Sequence, residues 1–259
     1  MIWVLAGTGD SFEIIDSLQK KGLSLIVSVV REYTEKRLAA TGVKVIKKRL
    51  EPRDMRDLIN RYGIDLIIDA THPFAVNVSR NVLLVSQEMS ITYWRYEREE
   101  LDLSIYPSEY ILAVEDYQEA VTVAAQFKRI FLTIGSNKLH YFTNGLENWR
   151  DRLVTRVLPD WRFIKKAEEI GFTPANLIAV QGPFTSKLNR ALLEEYKADV
   201  LVSKASGKTG GLDTKITAAL DLGIPVIIIK RPVLDYPYVF SDIEKLITHC
   251  IKWKGSSHA

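Results

Sequence analysis

Three clusters in the first hundred residues carry residue types that can do chemistry. The first, Ala6-Gly7-Thr8-Gly9-Asp10-Ser11, follows the apolar run Ile2–Ala6 and precedes a helical pattern. Glycines in that position let backbone N–H groups approach a pyrophosphate, and the helix N-terminus adds partial positive charge. Phe12 stands where the full dinucleotide fingerprint has a further glycine, so a ligand-free tight turn is the other reading of this motif alone. The second, Ser28-Val-Val-Arg31-Glu32, closes the second apolar run. An acid there holds a ribose 2′-hydroxyl and an arginine accommodates a 2′-phosphate. Arg31 thus points to NADPH, while the adjacent Glu32 keeps NADH open. The third is Asp69-Ala70-Thr71-His72-Pro73-Phe74-Ala75 at the end of the fourth run. His72 reads as a site residue in a polar loop, with Asp69 and Thr71 bonding the nicotinamide end or fixing the imidazole tautomer.

The second half contributes four polar loops, each after an apolar run: Thr133–Lys138 with Ser136 and Asn137, Arg156–Pro159, Gln181-Gly182-Pro183-Phe184, and Ser203-Lys204-Ala205-Ser206-Gly207 continuing to Gly210, Gly211, Thr214 and Lys215. Small hydroxyl residues and glycines before helices present backbone N–H groups to anions. Arginine and lysine bind carboxylates by charge-assisted bonds. Any single loop reads equally well as helix capping; the four together suit a large polyanionic ligand.

These loops need a scaffold that lines them up, and the pattern supplies one. Strands are expected at Ile2–Ala6, Leu25–Val30, Val43–Ile46, Leu66–Asp69 and Thr92–Trp94, the last closing the first sheet, with helices near Ser11–Lys21, Thr34–Ala40, Arg53–Tyr62 and Val76–Glu88 between them. The runs are continuous and β-branched, which suits parallel strands covered on both faces. The polar stretch Arg95–Pro107 reads as a crossover between domains. Strands resume at Ile111–Val114, Ile130–Thr133, Leu153–Val157, Leu177–Val180, Val200–Ser203 and Val226–Ile229, and a final helix covers about Ser241–Lys252. The expected architecture is α/β: two Rossmann-like domains with parallel sheets and an interdomain cleft, residues 1–100 binding a dinucleotide and 101–259 forming the second α/β domain. Tyr62-Gly-Ile-Asp65-Leu-Ile-Ile-Asp69 weakly echoes Tyr196-Lys-Ala-Asp199-Val-Leu-Val-Ser203; chance and duplication explain this equally well.

Composition narrows the function classes. The 259 residues are 47% hydrophobic and 26% charged, an ordinary globular balance that excludes disordered and collagen-like classes. A net charge of +3 is too mild to argue for nucleic acid but permits a locally basic cleft. Cys250 is the only cysteine, so neither an intrachain disulfide nor a cysteine zinc cluster is expected, and no metal site is. It reads as a partly buried, inert thiol. The opening lacks a basic region before its apolar run, no segment reads as a membrane span, and a cytoplasmic location is expected. There is no nucleophile elbow, P-loop or H-E-x-x-H motif. His140, His249 and His258 read as surface or structural residues, the scattered aromatics as core, and the tail Gly255–Ala259 as frayed.

Taken in order, the motifs resemble the precorrin-6A reductase family of cobalamin biosynthesis. The glycine turn is similar to the family's Gly-Gly-Thr-x-Glu-Ala, with Ala6, Asp10 and Ser11 as substitutions. DATHPFA (Asp69–Ala75) is the most specific segment; Thr-x-Gly-Ser, Arg-x-Leu-Pro, Gly-Pro-Phe and Lys-x-Ser-Gly follow at 133–136, 156–159, 182–184 and 204–207. Ala205 replaces a residue that is more often acidic or polar. The resemblance implies reduction of one double bond of a tetrapyrrole, precorrin-6A or its cobalt form, by NADPH or NADH. It implies cofactor contacts from Gly7, Thr8, Gly9, Asp10, Ser28, Arg31 and Asp69–His72. Substrate contacts would come from Ser136, Asn137, Arg156, Gly182, Pro183, Phe184, Lys204, Ser206, Gly207, Thr214 and Lys215, with His72 the one catalytic candidate. A lone chain, not fused to another enzyme, leans to the cobalt substrate. Two rivals are a small-molecule NAD(P)H oxidoreductase with a compact pocket, and a regulatory module that binds NAD(H) without turnover.

Overall fold

The computed structural model describes residues 1–256. In chain order the elements begin β1 (Ile2–Ala6), α1 (Gly9–Lys20), β2 (Leu25–Val29), α2 (Glu32–Ala39), β3 (Lys44–Lys47), α3 (Pro52–Tyr62), β4 (Leu66–Ala70), α4 (Val76–Glu88) and β5 (Thr92–Tyr96). They continue as β6 (Ile111–Val114), α5 (Tyr117–Ala124), β7 (Ile130–Leu132), α6 (Leu139–Gly145), α7 (Trp149–Arg152), β8 (Leu153–Val157), α8 (Trp161–Ile170) and β9 (Leu177–Ala179). The last are α9 (Ser186–Glu195), β10 (Val200–Lys204), α10 (Leu212–Leu220), β11 (Val226–Ile229), β12 (Val239–Phe240) and α11 (Ile243–Ser256). The alternation expected from the apolar runs is therefore present. His258, and the tail beyond residue 256, lie outside the described residues.

The chain divides into two compact units, Met1–Glu99 with Val233–Ala259, and Glu100–Pro232. This corrects the expectation that the second domain runs from 101 to 259. The C-terminal segment returns to the first unit because its apolar side chains complete that unit's core: Phe240, Leu246, Ile247 and Cys250 are buried beside Ile2, Val4, Ile14 and Leu18. Two further expectations change with it. Thr92–Trp94 does not close the sheet, because β12 pairs outside it (Val239 with Arg95, Phe240 with Tyr96). Arg95–Pro107 does not all lie in a crossover, because Arg95 and Tyr96 are buried residues of β5.

The first sheet runs β12-β5-β4-β1-β2-β3, and every pairing is parallel. Residues alternate between its faces, as strand geometry requires: Val4, Val27 and Ile68 pack in one apolar cluster while Trp3, Ile26 and Ile67 pack in another. The second sheet runs β6-β11-β10-β7-β8-β9, also parallel throughout. Its core joins Phe131, Val154, Leu201 and Val226 to Leu193 of α9 and to Leu212 and Ile216 of α10. Both sheets follow the 3-2-1-4-5-6 order of dinucleotide-binding folds. The sixth strand is the last of the chain in the first unit and precedes the other five in the second. No helix among the described residues is long and apolar enough to cross a membrane.

Candidate active site

In the first unit, β1 ends at Ala6 and α1 begins at Gly9, so Gly7 and Thr8 form the whole turn. Thr8 caps the helix: the Ser11 N–H donates to its Oγ1 at 3.4 Å, and that hydroxyl donates to the Ala70 carbonyl at 3.3 Å. The two glycines are not required by the protein itself. Neither has a positive φ, a Cβ on Gly9 would meet nothing within 4 Å, and one on Gly7 would sit 3.5 Å from Thr71 Cα. Their small size leaves exposed backbone N–H groups beside a helix N-terminus, which fits a phosphate. Asp10, in the first turn, pairs with Arg98 at 3.1 Å, so its carboxylate is neutralised beside that turn. A narrow crevice here is lined by Thr8, Asp10, Thr71, Pro73 and Arg98, among others. Arg31 caps α2 just beyond the end of β2, which suits contact with an adenosine ribose.

The DATHPFA loop is built differently from the expectation. Asp69 and Ala70 are fully buried. Asp69 Oδ1 accepts from Arg95 Nη1 (2.9 Å), Thr71 Oγ1 (2.7 Å) and the Thr71 N–H (3.0 Å), and Oδ2 accepts from the Tyr93 hydroxyl (2.8 Å). The carboxylate is thus fully engaged inside the protein; it neither reaches a ligand nor orients His72. Burial, then the Asp69 charge, push the Tyr93 phenol up, so Tyr93 remains a donor. The His72 tautomer is set elsewhere: the Phe74 N–H donates to its Nδ1 at 3.1 Å, which leaves the ring proton on Nε2 in the neutral form. Ser28 is also withdrawn from the ligand side, because its buried hydroxyl accepts from Trp3 Nε1 at 2.9 Å.

Sequence reasoning missed Arg95. It carries no exposed surface, and its guanidinium lies 5.2 Å from the Tyr236 ring. The signal lay in the strand register, where β4 and β5 pair Asp69 with Arg95. A buried acid at the end of a core strand needs a cation, and the neighbouring strand supplies it.

In the second unit, three cations come together at the carboxyl edge of the sheet. Arg156, near the end of β8, stacks on Phe184 at 4.8 Å and donates from Nη1 to Asn189 Oδ1 at 2.9 Å. Lys204 ends β10. Lys215 lies in α10 and donates to the Gly210 carbonyl at 3.3 Å. Burial pushes Arg156 down to about 10 and Lys204 down to about 8. Burial, then Arg156 and Lys204, push Lys215 down to about 7.

Glycine and serine complete this edge. Gly207 takes φ +73° and ψ 179°, a backbone open to glycine alone, and so turns the chain after Ser206. The hydroxyls of Ser136 and Ser206 are buried and have no hydrogen-bond partner among the described residues. Native proteins seldom leave buried polar atoms unpaired, so these hydroxyls fit a polar ligand. Pro183, in a cis peptide with Gly182, packs beside Gly211. Thr214 Oγ1 is held between Asn189 Nδ2 (3.4 Å) and the Gly211 carbonyl (3.2 Å). Asn189, which sequence reasoning did not single out, thereby links Arg156 to α10. Asn137 is not tied to this group by any of these bonds; it faces outward and accepts from Lys166 at 3.0 Å.

Among the described residues, His140 and His249 behave as expected. His140 lies 4.6 Å from the Tyr141 ring, and His249 packs edge-on to Trp94 and Phe240. Cys250 is wholly buried rather than partly so, and burial pushes its thiol up to about 12, where it is unreactive.

With this geometry in place, comparison with known proteins decides the family. A family model described as precorrin-6x reductase CbiJ/CobK matches residues 1–251. The chain belongs to this family. It is 39% identical over 249 residues to a cobalt-precorrin-6A reductase of Priestia megaterium, covering 95% of this chain and 96% of that one. It is 34% identical to a cobalt-precorrin-6A reductase of Methanocaldococcus jannaschii, covering 97% and 98%. The solved structure of a CobK precorrin-6A reductase superposes with a TM-score of 0.78 at 23% identity, over 97% of this chain and 96% of that one, and so shares the fold. The family is one of oxidoreductases acting on a CH–CH group.

Proposed function

We propose that this chain reduces cobalt-precorrin-6A to cobalt-precorrin-6B in cobalamin biosynthesis, using a reduced nicotinamide nucleotide and working in the cytoplasm. The observation that carries the reading is the match along almost the whole length of relatives named cobalt-precorrin-6A reductase. Relatives named precorrin-6A reductase match at 30% from Rhodococcus erythropolis and at 34% over only 182 residues from Mycobacterium tuberculosis, below the 39% over 249 residues of the Priestia megaterium cobalt-precorrin-6A reductase.

The two units divide the work in this reading. The first holds the dinucleotide, with Gly7, Thr8 and Gly9 against the pyrophosphate and Arg31 near the adenosine ribose. The bound cofactor supplies a hydride. The second holds the macrocycle: Arg156, Lys204 and Lys215 meet its acetate and propionate groups, while Ser136, Ser206 and the 206–207 backbone add neutral donors. A polycarboxylate is the ligand that one buried arginine and two half-buried lysines with lowered pKa values call for, since its charge restores what desolvation takes from them. Neither rival reading gives these cations a purpose.

The test is anaerobic incubation of the purified protein with cobalt-precorrin-6A or precorrin-6A and with NADPH or NADH, followed by absorbance. Nicotinamide oxidation coupled to a change in the macrocycle spectrum is expected, fastest with the cobalt form and NADPH. Nucleotide binding without turnover of either macrocycle would contradict the proposal. Arg31→Ala should raise the Kd for NADPH by about tenfold, or ~1.4 kcal/mol, and leave NADH nearly unchanged. Equal effects on the two nucleotides would remove Arg31 from the 2′-phosphate.

A further inference from the structure

Reduction of a carbon–carbon double bond requires a proton as well as a hydride. The first unit offers His72 for this, and no histidine lies among the second unit's site residues. We propose that Lys215 is the acid that protonates the macrocycle. The proposal rests on the reading that the macrocycle lies against the carboxyl edge of the second sheet.

Position singles out this lysine. It lies early in α10, whose N-terminal end is capped by Gly211 in a left-handed conformation. Partial positive charge from that helix end works against an ammonium. The charged groups acting on Lys215 are Arg156 from β8, Lys204 from β10 and Asp213 from its own helix. Two of the three are cations. From α9 the neighbouring side chain is the neutral Asn189, already bonded to Thr214 and Arg156. Lys215 Nζ donates to the Gly210 carbonyl. One N–H directed there leaves two for a ligand. Burial and the two cations lower its pKa to about 7, which makes the group acidic enough to give up a proton near neutrality. Arg156 remains charged at that pH and Lys204 releases its proton less readily. Those two are therefore binding cations alone, and Lys215, which also faces the macrocycle, is the donor.

The step balances. A hydride reaches one carbon of the double bond, and the Lys215 Nζ–H bond breaks as a C–H bond forms at the neighbouring carbon. The neutral amine then takes a proton back from water. Loss of its charge is eased by Arg156 and Lys204, which repel the ammonium and not the amine.

Lys215→Arg separates binding from proton transfer, because a guanidinium keeps the charge and does not release a proton near neutrality. The expected result is a Kd for cobalt-precorrin-6A within about threefold of the parent and a kcat lower by at least about 100-fold. In the parent, kcat/KM, which reports the free enzyme, should fall as pH rises through about 7, and in the variant that limb should vanish. His72→Ala should leave the limb in place. Because the arginine is bulkier, a second measurement needs no turnover: NMR titration of ¹⁵N-lysine-labelled protein, with the Lys215 signal assigned by its loss in the variant. A midpoint near 7 supports the proposal, and one near the ordinary lysine value of 10.5 overturns it. A Lys215→Arg enzyme with unchanged kcat and intact binding, or a loss that follows Lys204→Arg or His72→Ala instead, also overturns it. Failure of the underlying site reading looks different: Lys215→Met and Arg156→Ala would then both bind the macrocycle as the parent does.

Discussion

Arg95 and Asp69 face each other across β4 and β5 with no exposed surface on either side chain. Removing one partner of such a pair strands the other charge in the core. Arg95→Met should therefore destabilise the protein by about 3–5 kcal/mol, read by urea unfolding. A loss under about 1 kcal/mol would show that the pair behaves like a surface bridge. Lys215 makes a prediction of the opposite kind. Its pKa is about 7 when folded and near 10.5 when unfolded. Between those values the unfolded chain binds more protons, so this group makes stability rise with pH, fully so once pH passes the unfolded value. The melting temperature of the ligand-free protein, relative to Lys215→Met, should climb between about pH 7 and pH 9. A difference independent of pH would mean that the lysine titrates normally. At this scale the sequence was legible for residue type and less so for role. Asp69 stood out, but its partner is 26 residues away and meets it only through strand register. Arg95 sits in a charged run that looks solvated until β5 buries it.

At the scale of elements, the echo between Tyr62–Asp69 and Tyr196–Ser203 is structural. Each segment joins the end of a helix to the strand at position 4 of the 3-2-1-4-5-6 order (α3 to β4, α9 to β10). Gly63 and Lys197 both take positive φ, +56° and +52°. The N–H groups of Asp65 and Asp199 bond the carbonyls of Met1 and Arg129, which directly precede β1 and β7. Both carboxylates reach back as well, Asp65 to the Met1 amino group and Asp199 to the Lys128 and Arg129 N–H groups. Lys197 tolerates a left-handed backbone that a glycine fills in the other unit, and this hid the match at the level of sequence. β12 was illegible for another reason. Two residues give no periodicity, and their place beside β5 depends on where α11 packs. That packing is testable: Leu246 of α11 is fully buried in the first unit's core, so Leu246→Ala should cost about 2–5 kcal/mol in denaturant unfolding. A loss under about 1 kcal/mol would mean that α11 is dispensable to that core.

Across the whole molecule, alternation of apolar runs and helices made the two parallel sheets readable from sequence, because a strand buried on both faces has little freedom of composition. The boundary between units was not readable, since it is fixed by where the last segment packs and not by any break in pattern. On the function proposed above, the two sheets bind different ligands, the first a dinucleotide and the second a polycarboxylate macrocycle. Crossed calorimetric titrations of Gly9→Val and Arg156→Ala with NADPH and with cobalt-precorrin-6A test it directly. Gly9→Val should weaken NADPH by at least about tenfold and leave the macrocycle Kd unchanged; Arg156→Ala should do the reverse, costing about 1.5–3 kcal/mol of macrocycle binding. If either variant loses both ligands equally, or loses stability with both affinities intact, the division of labour between the two sheets is wrong.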